Sequence, residues 1–195
     1  MKQAVIIFVR NPQMGKVKTR LAATLGGEKA LAIYKELLQH TKEITAPITA
    51  DKYVFYFNEI AANDLWNDAG FFKRLQSNDE LGRKMENAFG ELFDKGYKKI
   101  LIIGSDCLQL TTLIIEEAFI LLNNNDAVIG PAKDGGYYLL GMKKLIGLVF
   151  ENKQWSTDTV FDETIHDLKA DNFSFACLPV LTDVDTEEDW NLSKK

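Results

Sequence analysis

The sequence predicts an α/β fold with a parallel, doubly wound sheet. Short apolar runs alternate with amphipathic segments of helical length, and this alternation is typical of parallel sheets. The run 100–103 is Ile-Leu-Ile-Ile, as expected for a central strand that is covered on both faces. No internal repeat, low-complexity segment or interdomain linker interrupts the pattern. We therefore expect a single domain over residues 1–195.

The elements follow in order along the chain. Strands are predicted over residues 3–9, 52–57, 71–76, 100–103, 127–129, 137–140 and 175–180. Helices are predicted over residues 28–44, 60–67, 81–95, 112–122, 157–168 and 186–192. The first helix carries Tyr34 and several leucines on one face, and Ser156 or Thr157 is a candidate N-cap of the fifth.

Composition excludes several classes of function. The chain has 195 residues, of which 46% are hydrophobic and 26% charged, with a formal net charge of −5. An acidic chain lacks the basic footprint of a nucleic-acid binder. Two cysteines and two distant histidines favour neither a disulfide framework nor a zinc site. The apolar run 4–9 is too short for a signal peptide or a membrane span, so we expect a cytoplasmic protein.

A carboxylate follows the central strand. Gly104 and Ser105 end the apolar run, and Asp106 comes directly after them. Ligands of open α/β sheets bind outside the carboxyl ends of the strands, where a carboxylate can hold a metal ion and, through it, a nucleotide diphosphate. Alternatively, Asp106 caps the next helix or closes a turn.

A basic loop follows the first strand. The segment 10–20 holds Arg10, Lys16, Lys18 and Arg20 together with Gly15. Such a loop can wrap a nucleotide with backbone N–H groups while its cations neutralise phosphate charge. It matches neither the dinucleotide fingerprint nor the P-loop, and a solvated basic loop is the simpler alternative.

Two later segments add polar groups. Asp134-Gly135-Gly136-Tyr137 is a strong turn signal, yet its glycines would also let a substrate approach the backbone, with Asp134 available to a hydroxyl. In the segment 181–189, Thr186 and Asp189 form a predicted capping box. Asp183 and Asp185 need another explanation, because carboxylates near Asp106 would repel each other without a divalent cation between them.

Five ordered motifs resemble one family across nearly the whole chain. They are R-N-P-x-x-G-x-V-K-T-R-L, L-G-x-x-M, G-S-D-C, G-P-A-x-D-G-G-Y-Y and D-V-D-T-x-E-D. This set resembles the radical-SAM/selenodomain-associated transferases, which are glycosyltransferase-like members of the GT-A nucleotide-diphospho-sugar transferase superfamily. The resemblance implies a Rossmann-like three-layer α/β/α sandwich with a mostly parallel mixed sheet. More distantly, the chain looks like the nucleotidyltransferases that make molybdenum cofactor dinucleotides or couple a guanylyl group to phospholactate.

The resemblance also implies roles for individual residues. Asp106 and Asp185 would bind Mg²⁺ or Mn²⁺, with Asp106 and Asp134 as the catalytic residues. The remaining implied contacts are nucleotide binding by Arg10, Gly15, Lys18, Arg20 and Gly82, and acceptor binding by Asp134, Gly135, Gly136 and Tyr137. The implied partners are a nucleotide-sugar donor and a small-molecule acceptor, and the sequence does not indicate an oligomeric state.

The chain departs from the family pattern at a few positions. Leu108, Thr112 and Glu187 stand where the pattern has proline, and no strict D-x-D follows the central strand. The expected function is metal-dependent glycosyl transfer from a nucleotide sugar. Two alternatives stay open, namely nucleotidyl transfer to a phosphorylated small molecule and nucleotide binding without catalysis.

Overall fold

The structure is a computed structural model that describes residues 2–68 and 70–194; Met1, Ala69 and Lys195 lie outside this description. Its strands are β1 (Gln3–Val9), β2 (Asp51–Tyr56), β3 (Phe71–Leu75), β4 (Lys99–Ile103), β5 (Ala127–Pro131), β6 (Tyr137–Met142) and β7 (Phe175–Cys177). Its α-helices are α1 (Thr19–Leu25), α2 (Gly27–Thr45), α3 (Leu81–Asp94), α4 (Thr112–Leu121), α5 (Val160–Ala170) and α6 (Glu187–Leu192), with a 3₁₀ helix at Gly147–Phe150.

The strands form one mixed sheet. Their order is β3-β2-β1-β4-β6-β5-β7, and only β6 runs antiparallel to its neighbours β4 and β5. The parallel pairs are β1 with β2, β1 with β4, β2 with β3, and β5 with β7. Because β6 is reversed, its first residue lies at the edge where the other strands end.

Helices cover both faces of the sheet. Alternate residues of β1 point to opposite faces, so Val5 and Ile7 join one apolar cluster while Ala4 and Ile6 join the other. Residues of α1, α2, α4 and α6 pack in the first cluster, and residues of α3, α5 and the 3₁₀ helix pack in the second. The predicted three-layer α/β/α sandwich with a mostly parallel sheet is confirmed.

One predicted helix is wrong. Residues 60–67 form bends and turns instead. Asp64 accepts a hydrogen bond from the backbone N–H of Trp66 (3.0 Å), and the side chain of Asn67 donates to the carbonyl of Ala62 (3.0 Å). Short polar side chains that bond nearby backbone groups offer the chain an alternative to helix, which explains the difference.

Other elements also differ from the prediction. An unpredicted short helix, α1, begins at the end of the basic loop, and β7 is only three residues long. Helix α5 begins at Val160, and neither Ser156 nor Thr157 caps it. The predicted capping box is confirmed, since Thr186 and Asp189 exchange hydrogen bonds at the start of α6. No helix in the described ranges is both long and apolar enough to cross a membrane.

Candidate active site

The predicted segments meet in one cleft of about 840 Å³. The basic loop follows β1, Asp106 follows β4, and the turn 132–136 joins the end of β5 to the start of the reversed strand β6. The segment 178–186 follows β7, and the Val184 N–H donates to the Asp106 carbonyl (2.8 Å). All four segments therefore lie at the same edge of the sheet, as expected for a ligand site in an open α/β sheet.

Lys18 lies between the two carboxylates that were predicted to bind a metal. Its Nζ is 3.1 Å from Oδ2 of Asp106 and 2.9 Å from Oδ1 of Asp185. Arg20 adds a longer ion pair, with Nη1 at 3.5 Å from Oδ2 of Asp185. Two carboxylates close enough to share one ammonium would otherwise repel each other. The lysine thus neutralises part of the charge that a divalent cation was predicted to neutralise.

The position of this lysine depends on an unusual backbone conformation. Lys18 is the N-cap of α1 and has a left-handed conformation (φ 45°), which is uncommon for a residue with a side chain. Its side chain is only 8% exposed, whereas those of Asp106 and Asp185 are 37% and 40% exposed. Burial opposes the charge of Lys18, but the two carboxylates outweigh burial and raise its pKa above the usual value.

Asp183 brings a buried carboxylate oxygen to the cleft. Its Oδ1 is shielded from water and has no hydrogen-bond partner among residues 2–68 and 70–194. Burial raises the pKa of Asp183 well above its usual range, and the charges of Asp106 and Asp134 raise it further. A buried polar atom without a partner is costly, so this oxygen indicates a place where a ligand or cation would be stabilised.

The predicted acceptor loop combines a tight turn with an aromatic wall. Asp134 is exposed, and its Oδ1 accepts from the Gly136 N–H (3.0 Å). Gly135 has φ +88°, and a Cβ there would lie 2.1 Å from the backbone oxygen of Asp158, so only glycine fits. The Tyr137 hydroxyl donates a long hydrogen bond to Met85 Sδ (3.9 Å). Tyr137 follows the turn and lines the wall of the cleft.

Most of the predicted site residues line the cleft, and three glycines do not. The residues that line it are Arg10, Lys18, Arg20, Asp106, Asp134, Gly136, Tyr137 and Asp185. Gly15 has φ +73°, and a Cβ at this position would meet no atom within 4 Å, so it shapes the exposed loop. Gly82 lies under Trp155, whose indole would be 2.4 Å from a Cβ at that position. Gly82 and Gly135 therefore support the walls of the cleft.

Sequence reasoning missed several residues of the site. Tyr34 is buried on α2 and its hydroxyl bonds both backbone groups of Arg10, accepting from the N–H (2.8 Å) and donating to the carbonyl (3.1 Å). Phe57 lies under two cations, Arg10 and Lys84. Lys84 lies inside the L-G-x-x-M motif, and this position could have indicated a role in the site. However, an isolated lysine in a helix is usually a solvated surface residue.

The carboxylates of the cleft suit a hard divalent cation that is also coordinated by a bound substrate. Among residues 2–68 and 70–194, no three side chains of His, Cys, Asp or Glu are grouped as a complete metal site. Mg²⁺ is commonly bound by one or two carboxylates together with water and substrate phosphates. Asp106 and Asp185 supply two carboxylates at the cleft, and the unpartnered oxygen of Asp183 is nearby. The donor chemistry therefore fits Mg²⁺ or Mn²⁺.

Comparison with known proteins places the fold in the class of nucleotide-diphospho-sugar transferases. A putative nucleotide-diphospho-sugar transferase from Desulfovibrio desulfuricans G20 is 32% identical; the match covers 98% of this chain and 86% of that one, with a TM-score of 0.91. The chain belongs to the family described as "Uncharacterized protein conserved in bacteria (DUF2064)", which matches residues 40–157.

More distant solved structures share the fold alone. The inositol-1-phosphate CTP transferase from T. maritima is 13% identical, with 100% of this chain and 94% of that chain covered and a TM-score of 0.62. The 4-diphosphocytidyl-2C-methyl-D-erythritol synthase from Anaerococcus prevotii DSM 20548 is also 13% identical, with 98% and 94% covered and a TM-score of 0.60. No curated protein matches the chain.

Proposed function

We propose that this protein is a metal-dependent glycosyltransferase-like enzyme that uses a nucleotide-diphospho-sugar donor and a small hydroxylated acceptor. The observation that carries the proposal is the single cleft in which a cationic loop, two neighbouring carboxylates and a glycine-rich aromatic turn face one another. The Desulfovibrio relative supports the same assignment, because it is a putative nucleotide-diphospho-sugar transferase. The five sequence motifs support a place among the radical-SAM/selenodomain-associated transferases.

Each part of the cleft has a role in this proposal. Asp106 and Asp185 would hold Mg²⁺ or Mn²⁺, which when bound neutralises charge on a diphosphate leaving group. Arg20 is mostly exposed and can turn from Asp185 toward a phosphate. Lys18 holds the two carboxylates close together until a ligand arrives.

The acceptor would lie near the turn 132–136. One oxygen of Asp134 is engaged with the Gly136 N–H, which fixes the direction of the carboxylate and leaves its other oxygen for an acceptor hydroxyl. Tyr137 adds an aromatic side chain to the same wall. Aromatic faces suit sugars and other flat, hydroxylated groups. We assign Asp134 as the general base on this geometry.

Nucleotidyl transfer is the second candidate, because cytidylyltransferases share the fold. The two reactions break different bonds. Glycosyl transfer cleaves the sugar–phosphate bond and releases a nucleoside diphosphate, whereas nucleotidyl transfer cleaves the α–β link of a triphosphate and releases pyrophosphate. The loop 10–20 has Gly15 as its single glycine and Pro12 as a rigid residue. Such a loop is less suited to wrapping a whole triphosphate in backbone N–H groups.

The test is a product assay with two substrate panels. With Mn²⁺ or Mg²⁺ and a panel of sugar nucleotides, we expect slow release of nucleoside diphosphate, by hydrolysis when no acceptor is present. EDTA should abolish it, and so should Asp106→Asn. Asp158→Asn is the matched control, because Asp158 is an exposed carboxylate lining the same cleft, and it should keep the activity.

Other product patterns would refute the proposal. Pyrophosphate release from triphosphates and phosphorylated small molecules, with no reaction on any sugar nucleotide, would establish the second candidate. Tight nucleotide binding with no product in either panel would indicate a binding protein without catalysis.

A further inference from the structure

Two cations of the cleft share one aromatic ring. The guanidinium carbon of Arg10 lies 4.7 Å from the centroid of the Phe57 ring, and Nζ of Lys84 lies 4.2 Å from the same centroid. In the described part of the chain, neither cation forms an ion pair with a carboxylate. Burial lowers the pKa of Lys84, and the charge of Arg10 lowers it further. Two like charges in a cleft that both lack an ion-pair partner favour an anion that would bind between them.

Some other cations of this chain that lie over aromatic rings have a carboxylate partner. Lys73 lies over a tyrosine ring and pairs with Asp64 (2.7 Å). Arg74 and Lys95 lie over another tyrosine and both pair with Glu91. Lys2, Lys52 and Lys144 lie over rings without an ion pair in the described residues, but they are outside the cleft. The feature that distinguishes Arg10 and Lys84 is that two cations without an ion pair share one ring inside the cleft.

Three elements hold this pair in place. Tyr34 fixes the backbone of Arg10 on both sides, and the Phe57 N–H donates to the Val9 carbonyl (3.0 Å) next to it. Lys84 is in the first turn of α3, where its N–H donates to the Glu80 carbonyl (3.0 Å). The cations are therefore preorganised by β1, β2 and α3, and little ordering is needed when a ligand binds.

One carboxylate of the cleft acts on Lys84 without forming an ion pair with it. Asp79 lines the cleft and its charge acts on Lys84, raising the pKa that burial lowers. However, Asp79 accepts from the side chain of Asn87 (3.1 Å) and forms no ion pair with Lys84 within residues 70–194. Lys18 is also engaged, because it bridges two carboxylates. Among the cations that line the cleft, Arg10, Lys16 and Lys84 form no ion pair in the described residues, and of these Arg10 and Lys84 share one ring.

We propose that Arg10 and Lys84 form a phosphate-binding subsite that does not require a metal ion. The phosphate bound there would belong to the nucleotide donor. This identification of the phosphate rests on the proposed function, whereas the subsite itself does not. A metal at Asp106 and Asp185 would then strengthen an affinity that already exists without it. The sequence motif placed Arg10 at the nucleotide, but it did not indicate Lys84 or the pairing across Phe57.

The test uses inorganic pyrophosphate as the probe, in the presence of EDTA. We expect the full chain to bind pyrophosphate in calorimetry and Lys84→Met to weaken this binding about tenfold, because one charge-assisted contact is lost while the apolar stem is kept. Lys84→Arg should retain most of the affinity. Lys144→Met is the matched control, since Lys144 lies over Phe173 (5.2 Å) and outside the cleft. Circular dichroism and urea unfolding check that each variant is folded.

Further outcomes test the subsite and the source of its phosphate separately. Absence of pyrophosphate binding in EDTA, or equal affinity of Lys84→Met and the parent chain, would overturn the subsite. A nucleoside diphosphate should displace pyrophosphate; displacement by a sugar phosphate alone would overturn the assignment to the donor. Because pyrophosphate has neither sugar nor base, its binding is independent of glycosyl transfer, so the two proposals fail separately.

Discussion

Replacing Lys18 by methionine removes the ammonium from between Asp106 and Asp185 while keeping the length of the side chain. The lysine is 8% exposed and donates to both carboxylates, at 3.1 and 2.9 Å. Breaking a fully buried ion pair costs about 3–5 kcal/mol. Here the carboxylates are 37% and 40% exposed, so water can solvate them after the substitution. We therefore expect a smaller loss, about 1.5–3 kcal/mol.

The assay is urea unfolding at neutral pH in EDTA, with Lys16→Met as the matched control. Lys16 is an exposed cation of the same loop and should cost less than about 0.5 kcal/mol. Adding Mn²⁺ should restore part of the stability of Lys18→Met, because a divalent cation can replace the missing positive charge. A loss for Lys18→Met no larger than that of the control would refute the reasoning.

Two further predictions concern the supporting structure. Burial opposes ionisation of Asp64, but hydrogen bonds, led by that from Lys73, outweigh burial and lower its pKa below the usual value near 3.8. The ionised Asp64 therefore stabilises the fold above that value, and this stabilisation is lost as the pH falls through the lower pKa of the folded state. The loss of unfolding free energy caused by Asp64→Asn, measured in urea, should accordingly be smaller at pH 3 than at pH 7. Gly135→Ala should cost about 1–3 kcal/mol or more, because its Cβ would overlap the backbone of Asp158. Gly15→Ala, also at positive φ but in open space, should cost less, and equal losses would contradict the steric argument.

The general position of the site could be predicted because it depends on sequence order and strand direction. Asp106 follows a fully buried aliphatic strand, and the carboxyl ends of parallel strands meet at one edge. Asp134 and Tyr137 reach that edge for a different reason, which is the reversal of β6. Alternating apolar runs indicate strands but not their direction.

Individual contacts could not be predicted, because they depend on backbone conformations that a motif does not encode. The left-handed conformation of Lys18 turns its side chain toward two carboxylates, so a residue predicted to hold phosphate is engaged with protein. The predicted helix over residues 60–67 was wrong for a similar reason, since side-chain contacts of Asp64 and Asn67 replaced helical hydrogen bonds. In both cases the local backbone conformation and the side-chain contacts depend on each other, and neither can be read from a motif.

The strand order accounts for the division of charge across the cleft. From β1, the sheet continues through β2 and β3 on one side and through β4 and β6 on the other, so the loops that follow β1 and β4 border a crevice at this switch point. Arg10 and Lys84 lie on the first side, Asp106 and Asp134 belong to the second, and Lys18 is the cation that crosses between them. The positive charge on the first side favours an anionic group, and the carboxylate on the second favours a hydroxyl. In the proposed glycosyl transfer, a phosphate of the donor would therefore lie on the first side and the acceptor hydroxyl near Asp134.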